Sequence, residues 1–192
     1  RVGAMTELPM PTVRPRAPGT DGPLLDTFGR VARDLRVSVT DRCNLRCTYC
    51  MPSEGLAWLE KPGMLSDDEL VRLVRVLVGL GITAVRVTGG EPLLRRSLPD
   101  IVRRIAALEP RPTIAMTTNG IGLDRLAAPL AAAGLDRVNV SLDTVDPDHF
   151  ARLTRRDRFG DVVAGLKAAA DAGLAPVKVN AVAMRGVNDT DV

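Results

Sequence analysis

Hydrophobic and polar residues alternate with a period of two in five short segments of the chain, which is the pattern of a β-strand with two different faces. These predicted strands cover residues 35–40, 82–88, 113–117, 137–143 and 176–184. Between consecutive strands, apolar residues recur three and four positions apart, as they do along one face of a helix. Strands joined by helical crossovers predict a parallel α/β sheet, either barrel-like or doubly wound.

Local capping signals indicate where several helices begin. Ser66 followed by Glu69 is a capping box, and Asp146 followed by Pro147 is an N-cap with proline at the first helical position. Helices are therefore predicted from residue 66, from residue 97, over 124–133, near residue 150 and over 160–172. Pro129 lies inside the third of them and is expected to bend it.

Each predicted strand has an apolar face for the helices and a polar opposite face. The apolar positions are Leu35, Val37, Val39, Val85, Val87, Ile114, Met116, Val138, Val140, Leu142, Val177 and Val179. The other face consists of Arg36, Ser38, Thr40, Arg86, Thr88, Thr113, Ala115, Thr117, Asn139, Ser141, Asp143, Lys178 and Asn180. A strand buried on both sides is almost continuously apolar, and a sealed barrel is packed with branched aliphatics. The polar face thus predicts a wetted, open lumen that holds a polar ligand.

Three fixed cations, Arg36, Arg86 and Lys178, belong to that polar face. Guanidinium and ammonium groups suit a phosphate or carboxylate ligand. An antiparallel sheet with one solvated face would show the same alternation. The long helical connections favour the parallel arrangement, since antiparallel neighbours need only short hairpins.

Composition places the chain among globular proteins with one core. Hydrophobic residues make up 45% and charged residues 26% of its 192 residues, and short apolar runs predict neither a membrane span nor a secretory signal. The net charge of +3 is diffuse and aromatics are only 3%, so no nucleic-acid surface is expected. Residues 1–27 contain five prolines and are predicted to be a disordered leader, followed by a single core over 28–192.

All three cysteines of the chain, Cys43, Cys47 and Cys50, follow the first strand with the spacing Cys-x3-Cys-x2-Cys. An odd, clustered set is not a disulfide framework, which indicates the reducing cytoplasm. Structural zinc usually takes four ligands, and the only histidine, His149, lies far away in sequence and is expected on a helix surface. Three thiolates on an iron–sulfur cubane would leave one iron with an open site, which permits catalysis.

This spacing, with Tyr49 before the last cysteine, resembles the signature of radical S-adenosylmethionine (SAM) enzymes, as does the segment 89–92, Gly-Gly-Glu-Pro, one βα unit later. The resemblance implies an incomplete (β/α)6 barrel with outer helices and a [4Fe–4S] cluster whose open iron binds SAM. Reductive cleavage of SAM then gives a 5′-deoxyadenosyl radical that abstracts hydrogen from the substrate. The glycine segment is expected to contact the SAM amino group, because glycine permits close backbone approach.

A narrower resemblance, to the GTP 3′,8-cyclase (MoaA) family, covers segments 34–44, 86–93, 117–120, 137–143 and 177–180. It implies a lyase that converts GTP to 3′,8-cyclo-7,8-dihydro-GTP in the first step of molybdenum cofactor biosynthesis. By this resemblance Tyr49, Gly90 and Ser141 contact SAM. The GTP contacts it implies are Arg36, Arg86, Thr117 and Lys178. It also implies a reductant for the cluster and a downstream cyclic pyranopterin monophosphate synthase, and it is compatible with a homodimer.

The family has a second [4Fe–4S] cluster on three further cysteines and a Gly-Gly tail, and this sequence contains neither. The expectation is therefore a truncated chain with a competent SAM site that does not complete turnover alone. Two alternatives remain open: another radical SAM maturase, and a non-catalytic zinc-binding or vestigial module. The arginine runs 95–96 and 155–158 are predicted to be solvated loop faces rather than guides for a triphosphate.

Overall fold

Five strands alternate with helices in the computed structural model, which describes residues 23–59 and 63–191. The strands are β1 Asp34–Ser38, β2 Ala84–Thr88, β3 Thr113–Thr118, β4 Arg137–Ser141 and β5 Lys178–Asn180. The helices are α1 Asp67–Gly79, α2 Leu98–Ala106, α3 Leu123–Ala132, α4 Pro147–Thr154 and α5 Phe159–Asp171. A short 3₁₀ turn, Pro92–Leu94, follows β2.

The strand order is β1-β2-β3-β4-β5, and every neighbouring pair is parallel. In a doubly wound sheet the order reverses at a switch point, whereas here each strand pairs with its successor in the chain. The sheet is therefore wound in one direction, as in a barrel. The prediction of a parallel, partial-barrel α/β fold is confirmed.

The apolar strand face packs against the helices and forms the core. Its central residues are at most 1% exposed: Val39, Val85, Val87, Ile114, Met116, Val138 and Val140. Burial of one such side chain contributes about 1.5–3 kcal/mol. Val179 is the exception, since it is 52% exposed. Within the described residues no helix follows β5, so this side chain is left about half exposed and the expectation that it faces a helix is wrong.

The predicted helix starts are confirmed at their caps. Ser66 and Glu69 form the reciprocal capping box of α1, and Asp146 accepts a hydrogen bond from the His149 amide at the start of α4. Helix α3 continues through Pro129, whose bending effect stays a prediction. Strand β5 has three residues, far fewer than predicted over 176–184, because only three positions pair with β4.

Residues 23–33 precede the sheet. Leu25 forms an antiparallel bridge with Val31, and Leu24 packs against the core. The greater part of the predicted leader, residues 1–22, lies outside the described residues, and its disorder stays a prediction. Of the helices that the structure describes, none is long and apolar enough to cross a membrane.

All five strands point the same way, so the loops that follow them meet at one edge of the sheet. The cysteine loop, defined as residues 41–51, follows β1, and the Gly-Gly-Glu-Pro segment follows β2. The Thr-Asn-Gly segment ends β3, and Asp143 follows β4. This is the edge at which parallel α/β folds place their functional sites.

Candidate functional site

The cysteine loop presents its three thiols at different depths. Cys43 and Cys47 are half-buried, Cys50 is exposed, and none forms a disulfide. Burial raises the pKa of Cys43, and it raises the pKa of Cys47 to about 11, with the nearby Asp143 charge adding to the effect. Without a cation these two sulfurs are thus neutral thiols at pH 7. A bound metal cluster would supply the positive charge that favours the thiolate form.

Helix α4 supports the cysteine loop through the backbone. The amides of Arg46 and Thr48 donate to the carbonyl oxygens of Thr154 and Leu153, each at 2.9 Å. These carbonyls belong to the last turn of α4, where they have no partner within the helix. The loop is therefore fixed by the fold before any cluster binds.

Arg155, directly after α4, clamps the same loop from the side. Its guanidinium donates to the carbonyl oxygens of Arg46 and Met51, both at 3.0 Å. Arg155 is exposed, as predicted for the arginine run 155–158. The sequence did not predict its interaction with the cysteine loop. The clamp joins the two ends of the segment that contains Cys47 and Cys50.

Replacing Arg155 with alanine is expected to loosen the cysteine loop and to lower the free energy of unfolding by about 1–2 kcal/mol, because two hydrogen bonds from a charged donor are lost. In metal-free protein, the half-buried thiols of Cys43 and Cys47 should then react faster with a thiol reagent. Arg156→Ala is the matched control, since that neighbouring side chain donates to the Arg155 carbonyl and not to the cysteine loop among the described residues. Equal thiol reactivity in both variants would contradict the clamp.

Arg95 has a structural role as well. It pairs with Asp67 and donates to the carbonyl oxygens of Val39 and Leu65 at 2.7 and 3.0 Å. Its side chain is only 14% exposed, so the prediction of a solvated loop face is wrong for this residue. Local sequence gives no sign of it, because the partners lie 28 to 56 positions away. The neighbours in the two arginine runs, Arg96, Arg156 and Arg158, are exposed as predicted.

The Gly-Gly-Glu-Pro segment is docked on the stem of the cysteine loop. The amides of Gly90 and Glu91 donate to the carbonyl oxygens of Thr40 and Arg42, both at 2.7 Å. A Cβ at Gly90 would lie within 3.0 Å of the carbonyl oxygens of Asp41 and Arg42. Glycine is thus required here by the close approach of two protein segments. The contact of Gly90 with SAM stays a prediction.

Glu91 ties three loops together from a buried position. Its carboxylate is 1% exposed and accepts hydrogen bonds from the Leu93 and Asn119 amides and from the Thr118 hydroxyl. The Asn119 side chain in turn donates to Asn44 in the cysteine loop at 2.7 Å. Burial raises the pKa of Glu91, while the three donors act in the opposite direction. Glu91 belongs to the Gly-Gly-Glu-Pro segment and Asn119 to the Thr-Asn-Gly segment. Only the tertiary structure shows that the two residues are hydrogen-bonded to each other.

Tyr49, predicted to contact SAM, donates its hydroxyl to Asp143 at 2.6 Å. Asp143 also accepts from the Val182 amide, and its carbonyl accepts from the Asn188 side chain. Burial and the Asp143 carboxylate raise the pKa of Tyr49, so its hydroxyl remains a donor. Ser141, whose side chain is also predicted to contact SAM, is the last residue of β4 and is exposed. The cysteine loop and the end of β4 are thus adjacent.

His149 differs from the expectation of a helix-surface residue. Its side chain is only 16% exposed and pairs through Nδ1 with Asp191, which also accepts from the Thr144 hydroxyl. The contact joins α4 to the segment after β5. His149 is therefore a structural contact of the fold and lies outside the cysteine set.

The predicted GTP contacts share one strand face in two rows. Arg36 and Arg86 are register partners on β1 and β2. Thr117 is paired with Asn139, and Asn139 with Lys178, so these three form a row across β3, β4 and β5. Because register partners on parallel strands point to the same face, the structure brings the predicted set together. The second row lies nearer the cysteine loop.

Two clefts border the cysteine loop within the part of the chain that the structure describes, with volumes of about 380 and 570 Å³. Thr40, Leu59 and Arg95 line both of them, and Gly89 and Gly90 line the smaller. None of the predicted GTP contacts lines either cleft. On the polar strand face Arg36, Ser141 and Lys178 are exposed, whereas Asn139 is buried, and the wetted, open lumen stays a prediction.

Over residues 23–59 and 63–191, no three His, Cys, Asp or Glu side chains form a group of the kind that holds one metal ion. A cubane does not require such a group, because each cysteine ligates a different iron. The residues fit that larger site in two respects: the three thiols share one loop, and protein contacts fix the loop at both ends.

A match to a protein family identifies the superfamily of this chain. The sequence model of the Radical SAM superfamily matches residues 37–192. The chain belongs to the radical SAM superfamily. Enzymes of this superfamily use a [4Fe–4S] cluster and SAM, and the matched region of this radical SAM chain contains all three of its cysteines.

Curated relatives of the radical SAM chain are named GTP 3′,8-cyclases. The relative from Mycobacterium sp. (strain KMS) is 67% identical over 181 residues, which cover 93% of this chain and 52% of the relative. The relative from Streptomyces coelicolor is 68% identical over 169 residues, 88% of this chain and 50% of the relative. The chain thus spans about half the length of these proteins.

Solved structures, one of them of a radical SAM methyltransferase, share the fold. Streptococcus suis SuiB bound to S-adenosylmethionine superposes with a TM-score of 0.63 at 21% identity, covering 80% of this chain and 34% of SuiB. A radical SAM methyltransferase from Sphaerobacter thermophilus gives a TM-score of 0.61 at 23% identity, with 81% and 49% of the two chains covered. At such identities these likenesses establish the fold alone.

Proposed function

We propose that this chain forms the cluster-binding and SAM-binding half, with part of the GTP site, of a GTP 3′,8-cyclase that begins molybdenum cofactor biosynthesis. The observation that carries the proposal is the cationic strand face in register below the cysteine loop, with Arg36 beside Arg86 and Lys178 in the row above. The identity of 67–68% with proteins named GTP 3′,8-cyclase supports it.

Cys43, Cys47 and Cys50 are the proposed cluster ligands, and Tyr49, Gly90 and Ser141 the proposed SAM contacts. When bound, the cluster and SAM supply a 5′-deoxyadenosyl radical. Tyr49 is held by Asp143 and Gly90 by the stem of the cysteine loop, so both sides of the SAM site are preorganised. Their contribution is to fix the position of the cofactor relative to the strand face.

Arg36, Arg86, Thr117 and Lys178 are the proposed GTP contacts. Successive rows of one strand face are two residues, or roughly 6.6 Å, apart along the strand. A nucleotide whose phosphates meet the cations would therefore have its sugar closer to the cysteine loop. This orientation suits removal of the ribose 3′ hydrogen and bond formation to C8, the reaction proposed here. The chain contributes by positioning the substrate and excluding side reactions.

The cysteines of the family's second cluster have no counterpart, because all three cysteines of this chain lie in the cysteine loop. Completion of turnover is therefore proposed to need further polypeptide. We also propose that a reductant supplies the cluster with electrons and that a cyclic pyranopterin monophosphate synthase is the next enzyme. Because the three thiols are free, we propose a cytoplasmic location.

The test is anaerobic reconstitution of the full chain with iron and sulfide, followed by incubation with SAM, a reductant and GTP. The proposal predicts 5′-deoxyadenosine whose formation depends on GTP, together with a cyclised nucleotide once the remaining polypeptide is supplied. Deoxyadenosine that forms equally without GTP would favour another radical SAM reaction. Binding of zinc without iron or sulfide would favour the non-catalytic module.

Replacing Lys178 with alanine is expected to weaken GTP binding about tenfold, because one charge-assisted hydrogen bond to phosphate is lost. The cluster content should be unchanged, since Lys178 stands on β5 and is not part of the cysteine loop. Calorimetric titration with GTP measures the effect. Lys167→Ala is the control, because Lys167 is exposed on α5. Equal affinities of the two variants would remove Lys178 from the site.

A further inference from the structure

Arg137 begins β4 and stands in the same row of the sheet as the two arginines already assigned to GTP. Arg36 is the register partner of Arg86, Arg86 of Ala115, and Ala115 of Arg137. The row therefore reads Arg, Arg, Ala, Arg across four adjacent strands. Because register partners on parallel strands point to one face, the guanidinium of Arg137 belongs to the polar face. Neither the motifs nor the family resemblance assigned it a role.

Within the described residues the three arginines of this row lack an acidic partner, and Arg36 among them is exposed. No carboxylate lies within ion-pair distance of Arg36, Arg86 or Arg137 among residues 23–59 and 63–191. Arg86 and Arg137 are nevertheless half-buried. Partial burial of a charge without a counter-ion is costly, which indicates that an anion completes the arrangement.

Ala115 is the small residue that separates Arg86 from Arg137 in this row. Its methyl group is the only side-chain atom between Arg86 and Arg137 in the row, and the residue is 4% exposed. The acid nearest along β1 on this face, Asp34, is paired with Ala84 one row further from the cysteine loop and is exposed. The row is thus cationic, with a forked donor on each side of one small residue.

We propose that Arg137 is a third anion-binding residue of this site and that, with Arg36 and Arg86, it binds the phosphate chain of a nucleoside triphosphate. The proposal names the part of the substrate that the row recognises, and to that extent it rests on the proposed function. The row of Arg137 is two residues below the row of Lys178. Lys178 therefore meets the phosphate nearest the sugar, and the arginine row meets the outer phosphates.

The test is calorimetric titration of the reconstituted full chain with inorganic tripolyphosphate, GTP and guanosine. Arg137→Gln is expected to weaken tripolyphosphate and GTP binding about tenfold, the loss of one charge-assisted phosphate contact, while guanosine and SAM affinities stay unchanged. Arg137→Lys should recover part of the loss, because it keeps the charge without the bidentate fork. Arg75→Gln, an exposed change on α1, is the control and should match the wild type.

The outcomes separate the two proposals. Tripolyphosphate binding that weakens with Arg86→Gln but not with Arg137→Gln overturns the role of Arg137 and leaves the proposed function standing. Tripolyphosphate binding that depends on Arg137 supports the anion row. If such binding comes without higher affinity for GTP than for nucleoside triphosphates with other bases, or without GTP-dependent formation of 5′-deoxyadenosine, the result counts against the cyclase. No tripolyphosphate binding by the wild type overturns the anion row itself. If Arg137→Gln unfolds, the Arg137→Lys variant decides between these outcomes.

Discussion

Replacing Cys47 with alanine is expected to abolish cluster binding and all SAM cleavage. Each proposed ligand holds its own iron, so loss of one thiolate leaves two irons of a cubane without a protein ligand. Iron content after anaerobic reconstitution should fall from about four per chain to near zero. Iron and sulfide analysis, with the visible absorption of the cluster, measures the effect, and 5′-deoxyadenosine formation should drop to background.

Ser53→Ala is a suitable control for this experiment. Ser53 follows the cysteine loop closely in sequence, is exposed, and donates its hydroxyl to Glu54. This variant should bind iron and cleave SAM like the wild type. A Cys47→Ala protein with full iron content would show that the cluster ligands are assigned wrongly. The fold itself should survive the substitution, since the loop is held by α4 and Arg155.

Replacing Gly90 with alanine is expected to have the largest effect on stability. The added Cβ would collide with the carbonyl oxygens of Asp41 and Arg42, which are backbone atoms and yield only if the cysteine loop moves. Overpacking of this kind, together with strain on the two hydrogen bonds of the Gly90 and Glu91 amides, should lower the free energy of unfolding by about 2–4 kcal/mol. Denaturant unfolding of the metal-free protein, followed by circular dichroism, measures this change.

Gly79→Ala is the matched control, because a Cβ at the end of α1 meets no atom within 4 Å. Alanine is the better helix former, so this variant should be as stable as the wild type or more stable by up to about 1 kcal/mol. Reconstituted Gly90→Ala should also lose its cluster faster, because the displaced loop contains the cysteines. If Gly90→Ala and Gly79→Ala unfold alike, the two segments do not pack as closely as the structure indicates.

Much of the fold was predictable because its signals are local. The alternation in residues 85–87 and 138–142 fixes which side chains face the helices, and burial confirms it. The capping box at Ser66 and the Asp146-Pro147 pair located two helix starts. The length of β5 was not predictable, because pairing ends where the neighbouring strand ends.

The candidate site was predictable in its composition but not in its connections. Cysteine spacing and strand parity predicted the candidate set that includes Cys47, Arg86 and Lys178. The hydrogen bond between Tyr49 and Asp143 joins residues 94 positions apart, and Arg155 reaches Arg46 across 109 positions. No local pattern encodes such pairs. The same reason explains why Arg95 was mistaken for a solvated residue.

The sequence by itself determined the elements, the two faces of each strand and the three thiols, because covalent geometry and side-chain burial act over a few residues. Only the tertiary structure decided that the strands follow one another in order, which excludes a doubly wound sheet. That order sets Arg36, Arg86 and Arg137 in one row and docks Gly90 against the stem of the cysteine loop. These contacts depend on register between strands far apart in the chain, and register is a property of the folded sheet.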